Sequence, residues 1–157
     1  MTVTFCGHSQ VANSDAVAAA LADIIEKLID EGATEFLLGG YGEFDSMAAV
    51  AVRNAKSRHP GICSTLVIPY IDRDYDPALY DGSLYPPLET VPRRFAISKR
   101  NEWMVTNSDV VVACIQHSWG GAATTLKFAE RKKKRIISIS CTSLLILSIK
   151  EFPFSAL

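Results

Sequence analysis

The sequence predicts a single-domain, doubly wound α/β fold with a mainly parallel sheet of about five strands. Short apolar runs alternate along the chain with stretches whose apolar residues recur every three or four positions. The short runs are apolar throughout rather than at every second residue, as in strands covered on both faces. The chain has 157 residues, about one domain's worth.

The elements follow in order. Val3-Thr4-Phe5-Cys6 reads as a buried strand ending at Gly7. Val17, Ala20, Leu21, Ile24, Ile25, Leu28 and Ile29 form one face of a helix, with Ser14 as its cap and Gly32 as its stop. Phe36-Leu37-Leu38 is a second strand, closed by Gly39-Gly40. The alanine-rich stretch from Phe44 to Lys56 is a helix suited to close packing on a sheet, ended by Pro60-Gly61. Thr65 to Ile68 is a third strand. Residues 70–92 hold four of the seven prolines and read as one long loop, more suited to a lid or binding loop than to a connector. A helix from about Arg94 to Thr106 precedes the β-branched strand Val110 to Cys114. A last helix, about Ala122 to Lys132, leads into the strand Arg135 to Ile139. The expected organisation is a Rossmann-like nucleotide-binding domain over residues 1–140. An apolar extension, 141–157, would supply an extra strand or helix or a dimer contact.

Composition narrows the class. Hydrophobic residues make up 48% and charged residues 21%, as in ordinary soluble domains. Sixteen Lys and Arg against seventeen Asp and Glu leave a formal charge of −1, without the basic excess of an obligate nucleic-acid binder, so nucleic acid is the disfavoured partner. The four cysteines are scattered, with no metal-ligand spacing to the three histidines; they read as reduced thiols of a cytoplasmic protein that needs no metal and no cofactor. The most apolar run, Leu144 to Ile149, is far short of a membrane span.

In a doubly wound sheet, ligands bind outside the carboxyl ends of the strands. There the chain reads Gly7-His8-Ser9-Gln10, then Gly39-Gly40-Tyr41-Gly42-Glu43-Phe44-Asp45, then Gln116-His117-Ser118-Trp119-Gly120-Gly121-Ala122-Ala123-Thr124-Thr125. Glycines allow close backbone approach, and free amides at a helix start favour phosphate. Gly7, His8, Ser9, Gly39, Gly40, Gly42, Gly120 and Gly121, with Ser118, Thr124 and Thr125 as hydroxyl donors, are therefore candidate ligand contacts. A tight turn needs glycine whatever the function, and neither GxGxxG nor a P-loop is present. Arg94, Arg100 and Asn101 are candidates for holding an anion; Arg93 and Lys99 read equally well as a solvated helix face. Glu43 and Asp45 are candidate carboxylates for acid–base work or ribose contacts, although the helix dipole favours acids in a first turn regardless. His8 and His117 stand beside turn glycines and read either as polar contacts or as plain loop residues. The run Arg131 to Arg135 reads as a solvated helix C-terminus, with a nucleic-acid patch as the alternative.

The glycine turn after strand two, Arg100-Asn101-Glu102-Trp103-Met104 before a Ser-Asp-Val-Val-Val strand, and Gly120-Gly121-x-x-Thr-Thr together resemble the SLOG superfamily over roughly residues 3–139. That superfamily of Rossmann-like domains includes the Lonely Guy phosphoribohydrolases, DNA-processing protein A and molybdenum-cofactor carrier proteins. Within it the chain is most similar to a small bacterial and phage branch. The resemblance implies a nucleotide-derived ligand at the strand ends, often across a homodimer, and a homo-oligomer (a dimer or higher) is expected. Arg100 matches the Lonely Guy arginine. Leu126 and Lys127 stand where that family's two motif glutamates fall, so Glu43 or Asp45 would have to supply the carboxylate of a catalytic set with Arg100.

The expected function is binding of a nucleotide or nucleotide-derived metabolite (AMP, ADP-ribose or NAD-like) as sensor or carrier. The alternatives are a nucleotide phosphoribohydrolase or N-glycosidase, and a single-stranded DNA-binding domain contacting Arg93, Arg94 and the basic run.

Overall fold

The computed structural model describes residues 1–141 and 150–151. Its strands are β1 (Thr2–Gly7), β2 (Glu35–Leu38), β3 (Cys63–Val67), β4 (Gly82–Leu84), β5 (Val110–Cys114), β6 (Arg135–Ser138) and β7 (Lys150–Glu151). Its helices are α1 (Ser14–Asp30), α2 (Glu43–Lys56), α3 (Ala96–Thr106) and α4 (Gly120–Arg131), with short 3-10 turns at Pro77–Leu79 and Arg93–Phe95. The strands form one sheet in the order β4-β3-β2-β1-β5-β6-β7. All neighbours pair in parallel except β6 and β7.

Six parallel strands thus replace the expected five. The additional one, β4, lies inside the proline-rich segment read as loop. It escapes sequence reading because it is three residues long, Gly-Ser-Leu, with no apolar run. Asp81 holds it in place: its carboxylate accepts the Ser64 N–H at 2.8 Å and pairs with Lys56 from α2. The expectations for Leu144 to Leu147 and most of the 141–157 extension fall outside the described residues; β7 adds an antiparallel edge there.

The strands bury both faces, so their apolar runs are unbroken. Val3, Phe5, Phe36, Leu38, Val110 and Val112 meet Val17, Leu21, Ile24 and Ile25 of α1 and Phe44, Ala48 and Val52 of α2. On the opposite face Cys6, Val111 and Ala113 meet Val105 of α3 and Ala129 of α4, and Leu37 and Val67 meet Met104. Each fully buried Leu, Ile, Val or Phe contributes about 1.5–3 kcal/mol relative to exposure. Helix α1 ends as expected at Gly32: the Gly32 N–H donates to the Ile29 carbonyl at 2.9 Å and the Ala33 N–H to Leu28 at 2.8 Å. Its start differs by one residue, since Asn13 is the cap and Ser14 the first helical residue.

Two cysteine expectations change. Cys114 and Cys141 are joined as a disulfide (Cα–Cα 6.5 Å) rather than reduced, because the chain leaving β6 runs beside the end of β5. Their separation of 27 residues carried no signal of this. Cys6 and Cys63 are free, and burial pushes the Cys6 thiol up to about 12. Among the described residues no helix is long and apolar enough to cross a membrane.

Candidate functional site: a cleft at the strand ends

The chain leaves β1 in one direction towards β2 and β3 and returns on the other side as β5 and β6. The loops after β1 and β5 therefore diverge, which is where an open α/β sheet forms a crevice. A cleft of about 630 Å³ opens there, within the usual range of roughly 300–1,000 Å³ for small-molecule sites. Residues 7–10 form one wall, Gln116, His117, residues 119–122 and Thr125 another, and Ile97, Arg100, Asn101 and Met104 of α3 a third, with Tyr41, Gly42 and Asp45 behind.

Arg100 lies at the base and is 1% exposed. Its Nη1 donates to the carbonyl of Val67 at 2.8 Å and to that of Gly39. Among the described residues its Nε has no hydrogen-bond partner, and neither does the buried Nε2 of Gln116, also in the cleft wall. Buried donors are nearly always paired, so two unpaired ones in a single cleft require an explanation. Burial pulls the Arg100 guanidinium below its ordinary range, while Asp45 acts in the opposite sense.

Asp45 is buried in the first turn of α2, and its carboxylate accepts the Tyr41 N–H at 2.9 Å. Burial raises its pKa to about 6; the Tyr41 amide and the Arg100 charge oppose that rise. Arg100 and Asp45 both press on Gly39. A Cβ there would sit 2.6 Å from Asp45 Oδ2 and 2.8 Å from Arg100 Nη1, so the close approach depends on glycine.

The start of α4 is arranged differently. The first amides of a helix have no partner within it, and the cap residue Trp119 offers no side-chain acceptor. Gly120, Gly121 and Ala122 of this first turn line the cleft. The hydroxyls of Thr124 and Thr125 donate back to the carbonyls of Gly120 (3.0 Å) and Gly121 (2.8 Å). In this structure their protons are thus engaged inside the helix.

Three rings stack beside this turn. His8 lies 3.7 Å from His117 between centroids, and His117 lies 3.8 Å from Trp119. The His117 N–H donates to His8 Nε2 at 3.4 Å, and His117 Nδ1 donates to the Trp119 carbonyl at 3.0 Å. Burial, followed by the His117 charge, lowers the pKa of His8.

Of the candidates read from sequence, Gly7, His8, Ser9, Gly42, Asp45, Arg100, Asn101, Gly120, Gly121 and Thr125 line the cleft together. The others do not. Gly39 lies behind Arg100, and Gly40 stands against Leu66 and Tyr80. Glu43 points away: its Oε2 accepts the Val11 N–H at 2.7 Å and its own N–H donates to the Ser9 carbonyl at 3.0 Å, tying the first two loops together. Ser118 lies on an outer face beside Leu126 and Lys127. Arg94 and Thr124 line a neighbouring groove of about 260 Å³ that shares Ile97, Asn101, Gly121 and Thr125 with the cleft. Tyr41, Gln116 and Trp119 were missed. The aromatic and amide residues flanking the glycines were the available signal.

The sheet order, the helices on both faces and the switch-point cleft define a Rossmann-like domain. No family model and no curated protein matches the chain. Among solved structures it is similar to DNA processing protein A from Helicobacter pylori, studied for its single-stranded DNA binding mode. That match has 20% identity and a TM-score of 0.62, covering 94% of this chain and 68% of that one. The chain is also similar to the molybdenum cofactor carrier protein from Chlamydomonas reinhardtii, with 18% identity and 87% of this chain covered in each of two structures. The first covers 75% of that chain with a TM-score of 0.55. The second covers 74% with a TM-score of 0.53. Both proteins are among the SLOG relatives that the motifs resembled, and at these identities the likeness is one of fold.

Proposed function

We propose that the cleft binds a nucleotide or nucleotide-derived metabolite (AMP, ADP-ribose or an NAD-like molecule), as sensor or carrier. The observation that carries this reading is the uncapped first turn of α4 opposite the buried Arg100, whose Nε is unpaired. Backbone amides at a helix start and a guanidinium are the two groups best suited to a phosphate. The carrier of a molybdenum cofactor among the structural neighbours supports small-molecule binding on this fold. Calorimetric titration with AMP, ADP-ribose and NAD is expected to give saturable binding, weakened about tenfold or more by the like charge of Gly121→Asp. No heat with any of the three rejects the reading.

A hydrolytic form of the same reading would use Asp45, the carboxyl group in the cleft wall, since Glu43 is held by Val11. Free base released from AMP, and lost in Asp45→Asn, would support it; intact AMP after long incubation with concentrated protein would end it.

A second reading, single-stranded DNA binding, is supported by the Helicobacter pylori neighbour and by the ring of Tyr70. The guanidinium carbons of Arg73 and Arg93 lie 4.8 and 4.4 Å from its centroid. The run Arg131 to Arg135 leads into the amino end of β6, opposite the cleft, and four of its members are engaged: Arg131 and Lys132 over the Phe128 ring, Lys134 with the Thr106 and Ser108 carbonyls, Arg135 with Glu31. An oligonucleotide mobility shift with steep salt dependence, reduced by Arg93→Ala, would favour this reading over the first. The homo-oligomer rests on the family resemblance, and light scattering on the purified chain decides it.

A further inference from the structure

The column of rings has one feature that phosphate binding leaves unused. It begins on His8, buried at the end of β1, and ends on Trp119, which is 70% exposed. The interplanar angles of 29° and 17° keep all three rings nearly parallel. Backbone groups hold the arrangement: the His117 amide on His8 Nε2, and the Trp119 carbonyl on His117 Nδ1. The acceptor role of His8 Nε2 puts the proton of its neutral ring on Nδ1, in keeping with its burial. One face of the indole thus lies on His117, and the other is left without a ring among the described residues. Among the described residues, four large hydrophobic side chains are exposed (Val50, Ile71, Phe95 and Trp119), and of these Trp119 alone lines the cleft.

Building on the proposed phosphate site, we infer that the free face of Trp119 seats a planar heteroaromatic ring of the ligand, which extends the His8–His117–Trp119 column. The ligand class is therefore a heterocycle that carries a phosphate, rather than a sugar phosphate or a simple anion. Trp119 is the cap residue immediately before Gly120 and Gly121, so the stacking face and the open amides of α4 belong to one turn. A single small molecule spans both. The preformed column lowers the ordering cost of binding, and stacking of a base on an aromatic side chain tolerates different bases.

The test titrates AMP and ribose 5-phosphate, which differ only by the base, into the wild-type chain, Trp119→Ala and Trp119→Phe. Trp119 is exposed, so its truncation leaves the core intact, and circular dichroism checks this. AMP is expected to quench tryptophan emission in the wild type and to bind Trp119→Ala about 5- to 100-fold more weakly. Ribose 5-phosphate should bind both forms alike, and Trp119→Phe should retain most of the AMP affinity. Equal AMP binding to wild type and Trp119→Ala overturns the stacking seat and leaves the phosphate site standing. An equal loss for both compounds also overturns it, since Trp119 would then serve only to shape the turn. If neither compound binds the wild type, the phosphate site beneath the inference falls as well.

Discussion

The β2–α2 turn and the β5–α4 turn look alike as sequence, each with a glycine pair opening into a helix, but they are opposites in the structure. The first closes on itself. Its Tyr41 and Glu43 amides are taken by Asp45 and by the Ser9 carbonyl, and its Gly39 carbonyl is taken by Arg100. A Cβ would reach within 2.6 Å of another atom at Gly39 and within 2.7 Å at Gly40 and at Gly42. In the second turn a Cβ on Gly121 would meet nothing within 4 Å, and one on Gly120 would meet only His117 Cε1 at 4.0 Å. Glycine in the first turn serves packing, and in the second it leaves room. One turn is the scaffold that holds Arg100 and Asp45; the other is the surface a ligand can reach.

This contrast predicts a graded series of effects. Gly39→Ala is expected to destabilise the fold by about 2–3 kcal/mol, because neither the buried Asp45 nor Arg100 can yield without losing a partner. Chemical denaturation measures this, and a cost under about 0.5 kcal/mol would remove the scaffold role of the turn. Asp45 gives a comparable effect through pH. Between its ordinary value of 3.8 and its folded value of about 6, the folded chain keeps a proton that the unfolded chain has lost. Stability therefore falls as pH rises through that window, by on the order of 2–3 kcal/mol. Denaturation curves from pH 4 to 7 should show a flatter profile for Asp45→Asn. His8 acts in the opposite sense. Its lowered pKa gives stability that is present above pH 6.5 and lost as pH falls below it, and His8→Phe should remove this component.

Smaller effects separate the two turns further. Glu43→Ala frees the Val11 amide and should cost about 1 kcal/mol in the same assay without changing AMP affinity. A loss of AMP binding instead would return Glu43 to the site. Gly121→Ala should leave stability unchanged or raise it by up to about 1 kcal/mol, since its φ is one that alanine adopts. It should nonetheless weaken AMP binding, because the added methyl enters the cleft. The pair Gly39→Ala and Gly121→Ala would thus exchange a stability defect for a binding defect. The same phenotype in both would erase the distinction.

Much of the fold was legible because burial on both faces leaves unbroken apolar runs, as in Val110 to Cys114, and because α1 repeats its apolar residues at helical spacing. β4 was not legible, since it is held by Asp81 and by its place beside β3 rather than by its own residues. The asymmetry of the site was equally hidden. Whether an amide in a glycine turn is free depends on partners such as the Ser9 carbonyl, which lies more than thirty residues from Glu43 in the chain.

The amino-acid order alone determined which segments become strands and helices, β4 apart, and that the glycine bends gather at the carboxyl edge of a parallel sheet, because hydrophobic periodicity and crossover handedness act locally. Only the tertiary structure decided which bend stays open, that Arg100 is buried with an unpaired donor, and that two histidines and a tryptophan stack. Hydrogen-bond satisfaction and ring packing are settled between residues distant in sequence.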